Sequence, residues 1–255
     1  MLKYLARTSR SRKSFGLSLT GMCECEWCLL LPHMADLRSR LESVAAHLLN
    51  EGYAVLDGIP LSSLHAEMVA LHAGGGLRQH LFGFKKDVAA KPQLFSKPDI
   101  FEAEGSDEAV QRLAPRLFAE LDQLHLHEAA VCAFPSLGLA RDAKKGVTVK
   151  LQCNEGNGGC FPAHYDNAGP PSQRRLTALF YLNPGWEPGD GGELELLPWL
   201  GAPLRLPPLD GRLVIFLSEA MLHRVLPCHR RRFCFTIWID GETPAHAADA
   251  ARAAA

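Results

Sequence analysis

The sequence predicts an α+β fold whose core is mainly β. Apolar residues recur at helical spacing early in the body of the chain. From residue 146 onward the pattern switches to short β-type runs separated by Gly/Pro clusters. At 255 residues the chain is long enough to bury one substantial core without disulfide staples. Helices first and short strands second point to a sandwich, a jelly roll or a barrel.

Each element follows from a local pattern. Leu37, Leu41, Val44, Leu48 and Leu49 predict a helix over 36–51, ended at Gly52. A strand over 53–56 follows, then a turn at Asp57-Gly58 and a second helix over 61–71, stopped by Gly74-Gly75-Gly76. Lys85-Lys86, Pro92, Pro98 and an acidic run over 99–108 predict a long, irregular loop across 77–107. A helix over 109–133, broken or restarted near Pro115, carries His125 and His127 as ordinary helix residues. Strands are expected over 147–153, 175–183, 193–197, 212–218 and 232–240, and no repeat recurs.

Composition excludes several classes. A net charge of −1, from 27 Lys+Arg and 28 Asp+Glu, argues against a nucleic-acid partner held by bulk positive charge. No apolar run approaches the roughly 18–20 residues of a membrane-spanning helix, so no membrane role is expected. The eight cysteines are irregularly spaced and read as free thiols of a reducing compartment. Cys23, Cys25 and Cys28 lack a clear fourth zinc ligand beyond His33 and read as an N-terminal segment without metal. Residues 1–33 are basic, Ser-rich and acid-poor before Glu24, which fits a transit peptide. The other reading is an upstream extension before a start at Met34. Without that leader the body is mildly acidic. An intracellular, cytoplasmic location is expected, or an organelle if the leader is real. Residues 243–255 form an Ala-rich tail with no assigned function.

The chemistry centres on His164-Tyr165-Asp166. Residues two apart share a strand face, so an imidazole and a carboxylate can converge on one point. His223, beyond the predicted strand 212–218, supplies a third candidate ligand. Two histidines and one carboxylate are the facial triad of non-haem Fe(II) oxygenases, although a lone His-x-Asp is as readily a surface histidine and a turn aspartate. Alternation along 232–239 puts Arg232, Cys234, Thr236 and Trp238 on one face and Phe233, Phe235, Ile237 and Ile239 on the other. Thr177 and Tyr181 likewise share a face opposite Leu176, Ala178, Phe180 and Leu182. An inward arginine beside hydroxyls is a carboxylate receptor. Arg230 is the alternative by a slip of two residues.

These residues stand in an order that resembles the 2-oxoglutarate and Fe(II)-dependent dioxygenases, and within them the prolyl hydroxylase domain (prolyl 4-hydroxylase-like) type. The string runs Gly156-Asn157-Gly158, His164-x-Asp166-Asn167, Thr177, Tyr181-Leu182-Asn183, Trp186, Gly191-Gly192-x-Leu194, Pro198, His223, Pro227, Arg232, Thr236 and Trp238. The resemblance implies a double-stranded β-helix, or jelly roll, with N-terminal helices packed on its major sheet. With the composition of the two ends, the chain divides into the leader 1–33, a helical support region 34–145 with a long variable loop, a dioxygenase domain 146–242 and the tail 243–255. It implies Fe(II) on His164, Asp166 and His223. It implies 2-oxoglutarate with its distal carboxylate on Arg232, Tyr181 and Thr236 beside it, and Leu194 against its methylenes. O2 would be the oxidant and ascorbate the reductant that keeps iron in use.

The implied substrate is a protein or peptide, most simply a peptidyl proline, yielding succinate and CO2 as coproducts. The same chemistry on another residue or a small molecule is the alternative, and a non-enzymatic jelly-roll binding module is the reading outside the class. Nucleic-acid demethylases of the superfamily carry a second arginine beyond the cosubstrate arginine, and here the next one is Arg252, in the tail. The sequence departs from the prolyl hydroxylase pattern at Asn154, where a tyrosine is usual, and at Phe161, which lacks a hydroxyl. Neither the substrate-binding residues nor the oligomeric state can be read.

Overall fold

In a computed structural model, residues 32–61, 63–84 and 93–242 are described. The cysteines at 23, 25 and 28, most of the basic leader and the Ala-rich tail lie outside them. Helix α1 (Pro32–Glu51) starts four residues before the expected helix and buries Leu37, Leu41 and Leu48 along one stripe. Gly52, at φ +82°, turns the chain into β1 (Tyr53–Leu56), whose bounds are those predicted. Helix α2 (Leu64–Ala73) packs inward through Leu64, Met68 and Leu71.

The expected loop over 77–107 is instead largely a β-hairpin. Strands β2 (Arg78–Phe84) and β3 (Gln93–Glu104) pair with each other, and β3 joins the main sheet through Ile100–Glu104 against Asn154–Lys150. The acidic run misled because its acids alternate. Phe101 and Ala103 pack on the helix-side core, while the Glu102 and Glu104 carboxylates reach Lys150 at 3.1 and 3.2 Å. An alternating strand with charged residues on one face imitates a solvated loop.

The expected long helix is three: α3 (Glu108–Leu113), α4 (Pro115–Leu124) and α5 (Leu126–Ala133). Pro115 makes the foreseen break. The second comes at His125, left-handed at φ 45°, with neither Gly nor Pro to announce it. His127 is buried and its Nε2 lies 2.6 Å from the Ala140 carbonyl, a structural role.

The remaining strands are β4 (Val147–Asn154), β5 (Phe161–His164), β6 (Arg174–Tyr181), β7 (Leu194–Leu197), β8 (Leu204–Leu206), β9 (Leu213–Leu217), β10 (Leu222–Val225) and β11 (Arg232–Asp240). They form two antiparallel sheets, one ordered β1-β9-β6-β11-β4-β3-β2 and the other β5-β10-β7-β8. The larger sheet has two cores. On its outer face Leu176, Ala178, Phe180, Phe233, Phe235, Ile237 and Ile239 pack with the helices. On its inner face Leu179, Tyr181, Val214, Phe216 and Cys234 meet Leu194, Leu196, Leu206 and Val225 of the smaller sheet. This is the double-stranded β-helix arrangement with helices on the major sheet, two facing sheets that do not close into a barrel.

Candidate active site between the sheets

His164 ends β5 and stands directly opposite His223 on β10 in the strand register. Their rings lie 4.3 Å apart between centroids. Asp166 sits beyond the end of β5, so strand alternation does not bring it to the histidines. A fixed turn does. Asn167 donates its backbone N–H to Ser218 at 3.0 Å and its side-chain amide to the Arg174 carbonyl at 2.8 Å. Asp166 Oδ1 then lies 3.6 Å from His164 Nε2 and 3.8 Å from His223 Nε2. One ligand atom from each of the three residues falls within 4.8 Å of the others.

The donor chemistry fits a divalent metal. His164 Nδ1 is 2.9 Å from the Pro162 carbonyl, and His223 Nδ1 is 3.1 Å from the Met221 carbonyl. A carbonyl only accepts, so each Nδ1 carries the proton and each Nε2 presents a lone pair toward Asp166. Burial holds the His223 pKa below the ordinary histidine value, leaving the imidazole neutral, the form that binds metal. Burial would raise the Asp166 pKa, but the two imidazoles that face it and the hydrogen bond from the Thr177 hydroxyl outweigh it and hold it at about 2. Thr177 Oγ1 donates to Asp166 Oδ2 at 2.8 Å and lies 2.8 Å from Ser218 Oγ. One carboxylate oxygen is thus tethered and the other is turned to the histidines. The tether was missed in the sequence, where Thr177 was only a polar residue on an inward face.

Arg232 begins β11 on the inner face and is 2 % exposed. Its guanidinium lies over the Tyr181 ring, 4.8 Å from the centroid, and Nη1 lies 3.2 Å from Cys234 Sγ. Its Nε and Nη2, and the Tyr181 hydroxyl, are buried without hydrogen-bond partners. No carboxylate among the described residues pairs with it. A buried guanidinium with free donors is costly unless an anion completes it, so the cradle fits a ligand carboxylate. Burial pushes the Tyr181 phenol up, keeping it an O–H donor. Gly192 makes room for the arginine: at φ +74°, a Cβ there would lie 2.9 Å from Arg232 Cδ and 2.7 Å from Cys228 Sγ. Arg230, the alternative, is exposed and bound to the Gly185 carbonyl and Asp190, outside the inter-sheet space.

Leu194 is fully buried on β7 in the core between the sheets. Thr236 lies on the Arg232 face of β11, between Cys234 and Trp238, and Trp238 pairs in register with Thr177. The inner face of β11 therefore runs from the guanidinium at one end to the Asp166 tether at the other. Asn154 stands opposite Arg232 in register, buried, with its Oδ1 unpartnered. A second cluster, His72, Cys153 and Glu155, also brings ligand atoms within 4.8 Å. There the Glu155 oxygens are taken by His72 at 2.7 Å and Arg231 at 2.9 Å, a polar knot joining α2 to the sheet.

The comparisons agree with this geometry. Residues 149–240 match the model of the 2OG-Fe(II) oxygenase superfamily. The chain is 30% identical over 217 residues to a hypoxia-inducible factor prolyl hydroxylase of Caenorhabditis elegans, a match covering 78% of this chain and 28% of that protein. The chain thus spans less than a third of that curated relative. A crystal structure from work on prolyl 4-hydroxylases of Phytophthora capsici is 32% identical, with a TM-score of 0.67, covering 95% of this chain and 76% of that one. A Pseudomonas putida prolyl-4-hydroxylase is 26% identical, with a TM-score of 0.59, covering 79% of this chain and 99% of that one.

Proposed function

We propose, proceeding from the fact that this chain belongs to the 2OG-Fe(II) oxygenase superfamily and is of its prolyl hydroxylase type, that it hydroxylates a peptidyl proline with 2-oxoglutarate and O2. The observation that carries the reading is the pairing, between one pair of sheets, of a His/Asp/His cluster with a buried, anion-free guanidinium. The proline substrate rests on likeness to proteins named as prolyl hydroxylases. When bound, Fe(II) with 2-oxoglutarate would activate O2, the oxidant: one oxygen atom would go into the succinate formed as the cosubstrate loses CO2, and the other into a substrate C–H bond.

The chain's own residues bind, orient and enclose. His164, Asp166 and His223 would hold the metal, and three protein ligands would leave it able to take cosubstrate and O2. The carbonyls of Pro162 and Met221 fix the imidazole tautomers, and Thr177 fixes the carboxylate. Arg232 takes the distal carboxylate, with the Tyr181 hydroxyl beside it and Thr236 further along the same face. Leu194 and its apolar neighbours exclude water from the cosubstrate's middle.

The test is succinate formation from 2-oxoglutarate with Fe(II) and ascorbate, in wild type and in two variants. His164→Ala is expected to lose about a thousandfold or more, ~4 kcal/mol of transition-state stabilisation. Arg232→Met is expected to abolish 2-oxoglutarate binding while stabilising the ligand-free protein by ~1–3 kcal/mol, because it removes a buried charge without a counter-ion. Equal turnover in all three proteins would overturn the assignment.

A further inference from the structure

The hairpin β2–β3 reaches the metal-ligand cluster through one basic side chain. Lys97 lies on β3 with its Nζ 4.0 Å from the centroid of the Phe161 ring, and Phe161 is 6.3 Å from the His164 ring. Its register explains why it is there. Ser96 pairs with Leu81 and Phe101 with Gln79, so residues 97–100 bulge opposite His80. Bulges of this kind re-aim side chains next to active sites.

No carboxylate among the described residues pairs with Lys97. Glu102 is the acid that acts on it most strongly, but that carboxylate already lies 3.1 Å from Lys150 and 2.7 Å from His80. Among the described residues Lys97 makes no ion pair. It is half-buried, and burial pushes its pKa below the ordinary lysine value while Glu102 acts the other way. Its only described partners are two ring faces, Phe161 and, at 5.8 Å, Phe82. Phe82 stacks on Phe95 at 5.6 Å across the hairpin, and these two large apolar side chains are 43% and 40% exposed. An apolar ladder thus leads from solvent to a cation beside the proposed iron site.

We propose that Lys97 sets the sequence preference of this chain: it binds an acidic side chain flanking the target proline, and Phe82 and Phe95 carry the apolar part of the same peptide segment. The proposal rests on the prolyl hydroxylase reading above. A carboxylate supplies the missing counter-charge, because an ammonium carries three donors and the two ring faces offer it no carboxylate or carbonyl acceptor. Phe161 makes this possible because its face is left to the cation.

The test separates binding from turnover. Full-chain protein, loaded anaerobically with Fe(II) and 2-oxoglutarate, is titrated against fluorescent proline peptides that differ only by Asp against Asn at successive flanking positions. Wild type is expected to prefer Asp at one position by about fivefold, a preference that shrinks with salt. Lys97→Arg is expected to keep it, Lys97→Met to bind both peptides alike, and Lys97→Glu to favour a Lys peptide instead. A merely structural lysine would lower thermal stability in all three variants without reordering the peptides. No preference in wild type, or one that survives in Lys97→Met, overturns the proposal. Succinate formation in air by the same wild-type sample reports separately on the dioxygenase reading. Its absence would sink that reading, whereas the anaerobic affinities decide the role of Lys97.

Discussion

The two faces of β11 obey opposite rules. Outward, Phe233, Phe235, Ile237 and Ile239 are at most 5% exposed and packed against the helices, with no polar atom to satisfy. Inward, Arg232 Nε and Nη2 and Trp238 Nε1 are buried without hydrogen-bond partners, and the Tyr181 hydroxyl and Asn154 Oδ1 on neighbouring strands share that condition. A fold tolerates such groups where function needs them and compensates elsewhere. The comparison teaches that stability in this chain comes from the helix side of the sheet and chemistry from the other, although the residues alternate along one strand.

The largest blow to the outward face should therefore spare the chemistry. Phe235 stacks on Phe180 at 4.7 Å between centroids, nearly parallel at 14°. Phe235→Ala is expected to cost about 3–5 kcal/mol in urea unfolding through lost burial and the cavity left behind. Turnover per folded molecule should stay within about a factor of two of wild type, since no reacting group moves. A variant that unfolds normally but loses turnover would erase the distinction between the faces.

The reverse experiment removes a single inward hydroxyl. Thr177→Val keeps the shape of the side chain and deletes the hydrogen bond to Asp166 Oδ2. Metal affinity is expected to fall by about 10–100-fold, the usual effect of losing a group that orients a ligand. Unfolding free energy should fall by about 1–3 kcal/mol, because Asp166 Oδ2 and the Ser218 hydroxyl lose a buried partner. Anaerobic Fe(II) titration and urea unfolding on one preparation read both quantities, and unchanged metal affinity would remove Thr177 from the site.

Much of this division was legible in the sequence because it rests on period-2 alternation, which strands at the centre of a sheet display cleanly. The faces of β11 and β6 followed from it, as did the inward position of Arg232. Asp166 was found for an incomplete reason. Its spacing from His164 suggested one strand face, whereas a turn fixed by Asn167 carries it across. The hairpin β2–β3 was hidden because Pro92, Pro98 and the lysines imitate loop punctuation and because its bulge breaks the alternation. Strands β5, β8 and β10, of three or four residues each, are too short to show a period. They are strands because they pair, and pairing partners distant in the chain leave no local signal. Gly192 stands in a Gly/Pro cluster before a predicted strand, and only the approach of Arg232 shows what its missing side chain is for.

A contact on neither face offers the smallest effect and the control for the rest. Asp57, just after β1, receives Nε of Arg212 at 2.6 Å and its Nη2 at 2.8 Å, tying the edge strand to the chain entering β9. This hydrogen bonding holds the Asp57 carboxyl below the usual carboxylate range despite partial burial. A depressed folded-state pKa means that the contribution is complete above the unfolded value of about 4 and is lost as pH falls through the folded value. Asp57→Asn should therefore flatten the acid limb of the stability curve. At neutral pH the loss should be less than about 1 kcal/mol, because the Asp57 side chain is 59% exposed and its charge is screened by solvent. Neither metal affinity nor 2-oxoglutarate affinity should move. If this edge substitution weakened either ligand as Thr177→Val does, effects on the site would be spreading through the sheet at large, and assigning chemistry to the inner face alone would fail.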